Sequence, residues 1–388
     1  MDLAFWWLLI ITVVFMLGWA AARYNLRYLR SKSENLLSSC FKGLNFLLNK
    51  KPDQTIDTFI EAVKLHPEIT ELHFALGNLF RQRGAIDCAI QMHQNLLLRA
   101  DLRPNERHHT LYELGQDFLK AGLLDRAEEA FQRLYGSEYA LSALQALLTI
   151  FEIEKEWHKA IVVAQQIEAM GILPLRKEIS QFYCELTQEA LQYKKIDNAR
   201  IALKQALCSN PKNIRVTLLS GDIEIACNKP VQAINYWRQI EQQNPAYLLL
   251  VAHKLMQAYT AIGQSQKGVA LLAHYVEAYY SSDLLDVAYQ HIAELSGIDS
   301  AHALIRVKMQ QSPNLVAMQR LLEAQIMIAE EPYKSELELM RTLIRRHAKN
   351  MPRYMCQNCS FQAKLFYWRC PSCGGWETYI PQRIEPIN

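Results

Sequence analysis

The sequence predicts an all-α protein with three parts: a single membrane-spanning N-terminal helix, a superhelical solenoid of helical pairs, and a small four-cysteine metal ribbon. Three observations predict this class. Residues 3–22 carry no charge, small and aromatic residues recur every 33 to 39 positions along the middle, and two Cys-x2-Cys motifs lie near the end. No alternation of polar and apolar residues typical of a strand occurs before residue 350.

Composition restricts the class of protein further. The 388 residues are too many for one compact domain, and 50% apolar residues are too many for a disordered chain. The 42 Lys and Arg against 39 Asp and Glu give a net charge of +3. Because nucleic-acid binding needs a basic surplus, we expect no nucleic-acid partner. Nine cysteines in so long a chain exclude a disulfide-stapled miniprotein.

Residues 1–22 predict a transmembrane anchor. The twenty uncharged residues at 3–22 would form a helix about 30 Å long, the thickness of a bilayer's hydrocarbon core. A cleaved signal peptide is the alternative, but it carries positive charge before its apolar stretch, where only Asp2 stands here. The basic residues follow instead, in a juxtamembrane linker at 23–37. The positive-inside rule therefore places the rest of the chain in the cytoplasm.

Residues 38–346 predict a helical solenoid. Gly77 is followed at offsets of 3, 7, 12 and 19 by Phe, Gly, Ala and Leu, and Gly115 is followed by the same residues at the same offsets. The pattern resembles the tetratricopeptide repeat, in which two antiparallel helices form a unit of about 34 residues. Small residues let paired helices approach closely, and a last pair is expected at about 314–346. Prolines should end the second helices, at Pro67, Pro211, Pro245 and Pro313.

A repeat array of this kind has a concave surface lined by its first helices, and such surfaces bind segments of other proteins. Tetratricopeptide geometry predicts a candidate partner groove that includes Asn78, Arg81, Gln116 and Lys120. The alternative for these four residues is an ordinary solvated helix face.

The strongest chemical signal is the two Cys-x2-Cys motifs in residues 347–388. Each motif supplies two thiolates from one tight turn, and together they predict the four ligands of one metal ion, iron or zinc. The predicted ligands are Cys356, Cys359, Cys370 and Cys373. Four protein ligands leave no open position, so the metal is structural or at most a one-electron centre. The second motif resembles a rubredoxin knuckle, whereas the first has Ser360 where such a knuckle usually has glycine.

The aromatic residues around the motifs indicate how the ribbon is supported. We expect Tyr354, Phe361, Trp368 and Trp376 to form a small apolar shell, since about thirty residues cannot make a core alone. The stretch at 365–368 is apolar rather than basic, which disfavours nucleic-acid binding. We therefore expect the ribbon to dock onto helices.

The whole chain resembles the lipopolysaccharide assembly protein B family (LapB, also called YciM) of Gram-negative bacteria. The resemblance rests on the order of anchor, repeats and rubredoxin-like ribbon, on ALGNLFRQRGAIDCAIQMHQNLL at 75–97 and on YMCQNC with YWRCPSC at 354–373. It implies a single-pass protein of the bacterial inner membrane with its body in the cytoplasm. It also implies an adaptor that regulates lipid A biosynthesis by promoting FtsH-dependent proteolysis of the deacetylase LpxC.

The resemblance implies three partners: the LpxC deacetylase, the FtsH protease and a LapC/PbgA-type inner-membrane regulator. A homodimer is compatible with the sequence. No Gly-rich phosphate loop, Gly-x-Ser-x-Gly elbow or His-Glu-x-x-His motif occurs, so we expect that the protein is not an enzyme. Two rival functions are a general tetratricopeptide scaffold for envelope assembly and a rubredoxin-like redox protein.

Overall fold

The computed structural model describes residues 52–171, 173–279, 281–311, 315–350 and 353–381, without the side chains of 52–55 and 347–350. The described part of the chain divides into two compact units between residues 159 and 160. The predicted anchor at 1–22 and linker at 23–37 lie outside the described residues. Within the described ranges, no helix combines the length and the apolarity needed to cross a bilayer.

The helices, numbered from the first one described, follow one another with short turns. The first unit contains α1 (Pro52–Leu65), α2 (Thr70–Arg83), α3 (Ile86–Leu97), α4 (Pro104–Ala121), α5 (Leu124–Gln132) and α6 (Ala140–Glu154). The boundary between the units falls inside α7 (Trp157–Ala169).

The second unit continues the series of helices as far as the C-terminal ribbon. Its helices are α8 (Arg176–Gln192), α9 (Ile196–Ser209), α10 (Ile214–Ala226), α11 (Pro230–Gln243), a 3-10 turn (Pro245–Tyr247), α12 (Leu248–Ala261), α13 (Ser265–Ala278), α14 (Ser282–Ser296), α15 (Ile298–Gln311), α16 (Leu315–Ile328) and α17 (Tyr333–Asn350). The pair α16 and α17 matches the predicted last pair, and α17 continues to Asn350.

Within each unit the helices form stacked antiparallel pairs. First helices pack against their own second helices and against the next first helix, as α2 does against α4 and α8 against α10. Close approach depends on glycine at the crossing point. A Cβ on Gly115 of α4 would lie 2.7 Å from the Phe131 ring of α5, and one on Gly221 of α10 would overlap the Trp237 indole of α11. The predicted role of small residues is confirmed.

Prolines mark the ends of several helices. The helices α1, α9 and α11 end two residues before Pro67, Pro211 and Pro245 respectively, as predicted. Pro313 lies outside the described residues.

The described strands lie in the C-terminal ribbon, after the last helix. Strands β1 (Tyr354–Met355) and β2 (Gln362–Ala363) pair antiparallel, with Tyr354 opposite Ala363. The ribbon belongs to the second unit, so its contacts with α8, α10 and the 3-10 turn lie within one compact body.

Candidate metal centre and its docking surface

The four predicted cysteine ligands converge on one point. Their Sγ atoms all lie within 4.8 Å of one another. The distances from Cys356 Sγ to Cys373 Sγ and from Cys359 Sγ to Cys370 Sγ are both 3.7 Å. A tetrahedral ion with metal–sulfur bonds of about 2.3 Å requires sulfurs about 3.8 Å apart, so the residues fit a four-sulfur metal centre. Zinc and iron satisfy this geometry equally.

The two motifs have the same backbone geometry. The amide of Ser360 donates to the Cys356 carbonyl and that of Gly374 donates to the Cys370 carbonyl, each at 2.9 Å. Ser360 has φ of +59° and Gly374 has φ of +72°. Ser360 therefore adopts the left-handed conformation that the knuckle needs, which costs a non-glycine residue about 1–2 kcal/mol.

The electrostatics of the cluster favour the thiolate at Cys356 and Cys370 and disfavour it at Cys373. Burial raises the pKa of the Cys356 thiol, but hydrogen bonds from Thr378 and from two backbone amides outweigh it and bring that pKa to about 6. The equivalent amides in the second motif likewise lower the pKa of Cys370. Cys373 accepts a hydrogen bond from the Gly375 amide, yet burial and the neighbouring sulfurs raise its pKa to about 11. A bound cation would offset this mutual repulsion.

The ribbon core differs from the predicted aromatic shell. Tyr354 is buried among the cysteines as expected, but Phe361 is exposed. Tyr379, which the sequence analysis missed, is fully buried, and its hydroxyl lies 3.8 Å from Cys370 Sγ. Trp368 and Trp376 contact the helices instead, because the helices provide the larger part of the ribbon's apolar support.

Aromatic contacts dock the ribbon onto the helices, as the sequence predicted. The Trp368 ring stacks on Tyr247 with centroids 5.7 Å apart and an interplanar angle of 13°. Phe366 meets Tyr247 edge-on at 6.4 Å, and Trp376 meets Phe182 of α8 edge-on at 5.9 Å. Burial raises the pKa of Tyr247 to about 12, so its phenol stays neutral under the ribbon.

A buried arginine lies beneath these aromatic contacts. The side chain of Arg215 on α10 is 2% exposed and donates to Glu185 Oε1 at 2.8 Å. Its guanidinium carbon lies 5.3 Å from the centroid of the Trp368 ring, a cation–π contact. Because a buried guanidinium needs hydrogen-bond partners, these contacts hold Arg215 in one position beneath the ribbon.

A hydrogen-bond chain connects this arginine to the ribbon. Gln181 Oε1 on α8 accepts from Arg215 Nη1 at 3.2 Å, and Gln181 Nε2 donates to Glu377 Oε1 of the ribbon at 2.5 Å. No motif or spacing in the sequence predicts this pair of contacts. The one available signal was a lone arginine beside the mostly apolar residues 216–219 at the start of α10.

The four predicted groove residues lie on first helices, as expected, and two of them are paired within the chain. Arg81 on α2 donates to Glu113 Oε2 at 2.5 Å and to Asp117 Oδ1 at 2.8 Å, both on α4, and also to Asn78 Oδ1. Gln116 is half-buried and Lys120 is exposed. The assignment of these four residues to a partner groove stays a prediction.

Comparisons with known proteins support a metal site in the ribbon and show similarity over almost the whole chain. A family model described as a rubredoxin metal binding domain matches residues 354–381. Lipopolysaccharide assembly protein B of Escherichia coli (strain K12) is 31% identical over 378 residues, 97% of this chain and 97% of that protein. The protein of the same name from Haemophilus influenzae is 28% identical over 391 residues, 98% of each chain.

Similarity to solved structures is weaker. The TPR2AB domain of yeast Sti1, in a complex with pHSP90, is 17% identical and covers 71% of this chain and 97% of that chain, with a TM-score of 0.33.

Proposed function

This chain belongs to the lipopolysaccharide assembly protein B family, and from that premise we propose that it regulates lipopolysaccharide biosynthesis as a membrane-anchored adaptor. In this proposal it promotes proteolysis of the LpxC deacetylase by the FtsH protease in the bacterial inner membrane. The observation that carries the proposal is similarity over 97% of both chains, because so long a match cannot leave out the repeats or the ribbon.

An adaptor of this kind works by raising local concentration. If the anchor holds the chain in the same membrane as the protease, a substrate bound to the repeats reaches an effective concentration near millimolar without new chemistry. The first helices of the repeats offer the extended surface for such binding. A four-sulfur centre with no open coordination position fits a structural role in such an adaptor.

The ribbon's part in the proposal is to fix the surface of the second unit. Trp368 and Trp376 contact different elements of the helical array, the Tyr247 turn and α8. A folded ribbon therefore holds these elements together, and loss of the metal would release them. This supports a role for the metal centre in function without any reaction at the metal.

The test of the adaptor function is the half-life of LpxC in cells. Depletion of this protein, with FtsH present throughout, should lengthen that half-life severalfold. The matched control is depletion in cells without FtsH activity, where no further lengthening is expected. An unchanged half-life in the first comparison would contradict the proposal and leave a scaffold for envelope assembly.

The metal centre gives a second test. Replacing Cys356 and Cys359 together with serine should unfold the ribbon and lengthen the LpxC half-life as depletion does. Cys208→Ser is the control, because Cys208 is an exposed cysteine far from the cluster in sequence. Normal LpxC turnover with the double variant would show that the ribbon is not part of the mechanism.

The anchor gives a third test. Deleting residues 1–22 should leave a body that promotes proteolysis poorly at native abundance. Replacing them with an unrelated membrane-spanning helix should restore proteolysis but remove control by a LapC/PbgA-type regulator. Full activity of the deletion variant would contradict the tethering argument.

A further inference from the structure

Side-chain pairs link successive first helices of the second unit. Lys254 of α12 pairs with Asp222 of α10 at 2.7 Å. Arg320 of α16 pairs with Asp286 of α14, also at 2.7 Å. The helices α12 and α14 pack against each other as well, but there two histidines meet. Two neutral imidazoles lack the charge attraction of an ion pair, whereas a cation that both rings bind would supply it.

The two histidines, His253 of α12 and His291 of α14, face each other through ring nitrogens. His253 Nδ1 lies 3.0 Å from His291 Nε2. Two nitrogens bonded to one tetrahedral zinc ion at about 2.0–2.1 Å lie about 3.3 Å apart, so a separation of the rings by about 0.3 Å admits the ion. His253 is exposed and the His291 side chain is 13% exposed, so an ion can enter from solvent.

The other nitrogen of each ring has a partner that suits a metal ligand. Glu294 Oε2 lies 3.5 Å from His291 Nδ1. This carboxylate favours the proton on Nδ1 and leaves the Nε2 lone pair directed at His253. The Gln257 amide lies 3.0 Å from His253 Nε2. When its oxygen faces the ring, it accepts a hydrogen bond from that nitrogen, and both rings then present lone pairs to one point.

We propose that His253 and His291 form a second metal site, which binds one zinc ion between α12 and α14. Imidazole nitrogen is a ligand that suits zinc, and water completes the coordination. Because two protein ligands replace the four of a structural site, we expect a dissociation constant on the order of 10 µM. Glu294 acts as a positioning residue. The bound ion links two first helices, and this inference does not depend on the proposed function.

The experiment is equilibrium dialysis of the full chain in detergent micelles, with its ribbon metal in place, against zinc from about one-tenth to ten times the expected dissociation constant. The total metal content should rise from one ion per chain to two. His253→Ala and His291→Ala should each raise the dissociation constant more than tenfold. Glu294→Gln should raise it about tenfold, a loss typical of removing the partner of a ligating histidine.

A matched control separates this site from zinc binding by any surface histidine. His274 lies on α13 of the same unit, its side chain is 59% exposed, and its Nε2 lies 3.5 Å from Glu241 Oε1. His274→Ala should leave the second zinc ion unchanged. Hydrogen exchange gives an independent readout, because an ion between the helices should slow exchange in residues 248–261 and 282–296. Zinc should have no such effect on the His253→Ala variant.

Three results would overturn the proposal. The first is a metal content that stays at one ion per chain over the whole range of zinc. The second is a second ion that both histidine variants retain, which would place the zinc elsewhere. The third is a loss of thermal stability in the histidine variants with zinc binding unchanged, which would show that the rings only hold the helices together by their hydrogen bond. An unchanged zinc affinity in Glu294→Gln would contradict the positioning role of Glu294.

Discussion

Replacing Trp368 with alanine should detach the ribbon from the helices while leaving its metal in place. Trp368 contacts Tyr247 and Arg215 on the helical side and Phe366 within the ribbon, but it is not a metal ligand. The variant therefore separates docking from metal binding, two properties that the cysteine variants lose together.

The size of the effect follows from these contacts. Truncating a fully buried tryptophan costs about 3–5 kcal/mol, and Trp368 is half-buried, so we expect about 2–3 kcal/mol. Of this, stacking on Tyr247 supplies about 0.5–1.5 kcal/mol and the cation–π contact with Arg215 about 1 kcal/mol. At 1.4 kcal/mol per factor of ten, the docking equilibrium should weaken roughly 30- to 150-fold.

The assay is hydrogen exchange of residues 176–192 and 353–381, with metal content measured on the same samples. Protection should fall in both segments and the metal content should stay at one ion per chain. Leu365→Ala is the matched control, because Leu365 is 66% exposed in the same segment and should change neither quantity. Unchanged protection in the Trp368 variant, or loss of its metal, would refute the reasoning.

Three further predictions concern single residues. Ser360→Gly should stabilise the metal-bound ribbon by about 0.5–1 kcal/mol, because the relief of left-handed backbone strain exceeds the entropy that glycine adds to the unfolded chain. The denaturant concentration at which the metal is released measures this change in stability. Gly221→Ala should destabilise the second unit by about 1–3 kcal/mol in thermal unfolding, whereas neighbouring Ser220→Ala should have little effect. Hydrogen bonds from Arg103 lower the pKa of Glu106 from 4.5 to about 2, so its contribution to α4 should be complete above pH 4.5 and lost towards pH 2; an NMR titration of Glu106 that gives an ordinary pKa would contradict this.

The sequence predicted what depends on short-range patterns. The recurrence of Gly77 and Gly115 with the same following residues located the helix pairs, because the steric demand at each crossing repeats along the chain. The cysteine spacing located the metal ligands, because the Cys-x2-Cys turn itself determines where the sulfurs lie. Proline located helix ends for the same local reason.

The sequence did not predict contacts between distant parts of the chain. Gln181 and Glu377 are 196 positions apart, and their hydrogen bond depends on where the ribbon packs against the helices. Arg81 was assigned to a groove from the general repeat geometry, but its pairing with Glu113 and Asp117 depends on the side chains of the next helix. Trp368 was placed in a ribbon shell because no sequence pattern reveals that Tyr247 lies beside it.

The most direct test of the central claim is the degradation rate of purified LpxC by FtsH in proteoliposomes, with and without this protein in the same membrane. We expect a severalfold faster rate when the full chain is present, and no acceleration by the Cys356→Ser, Cys359→Ser double variant. An LpxC degradation rate that is unaffected by the full chain would contradict the adaptor function.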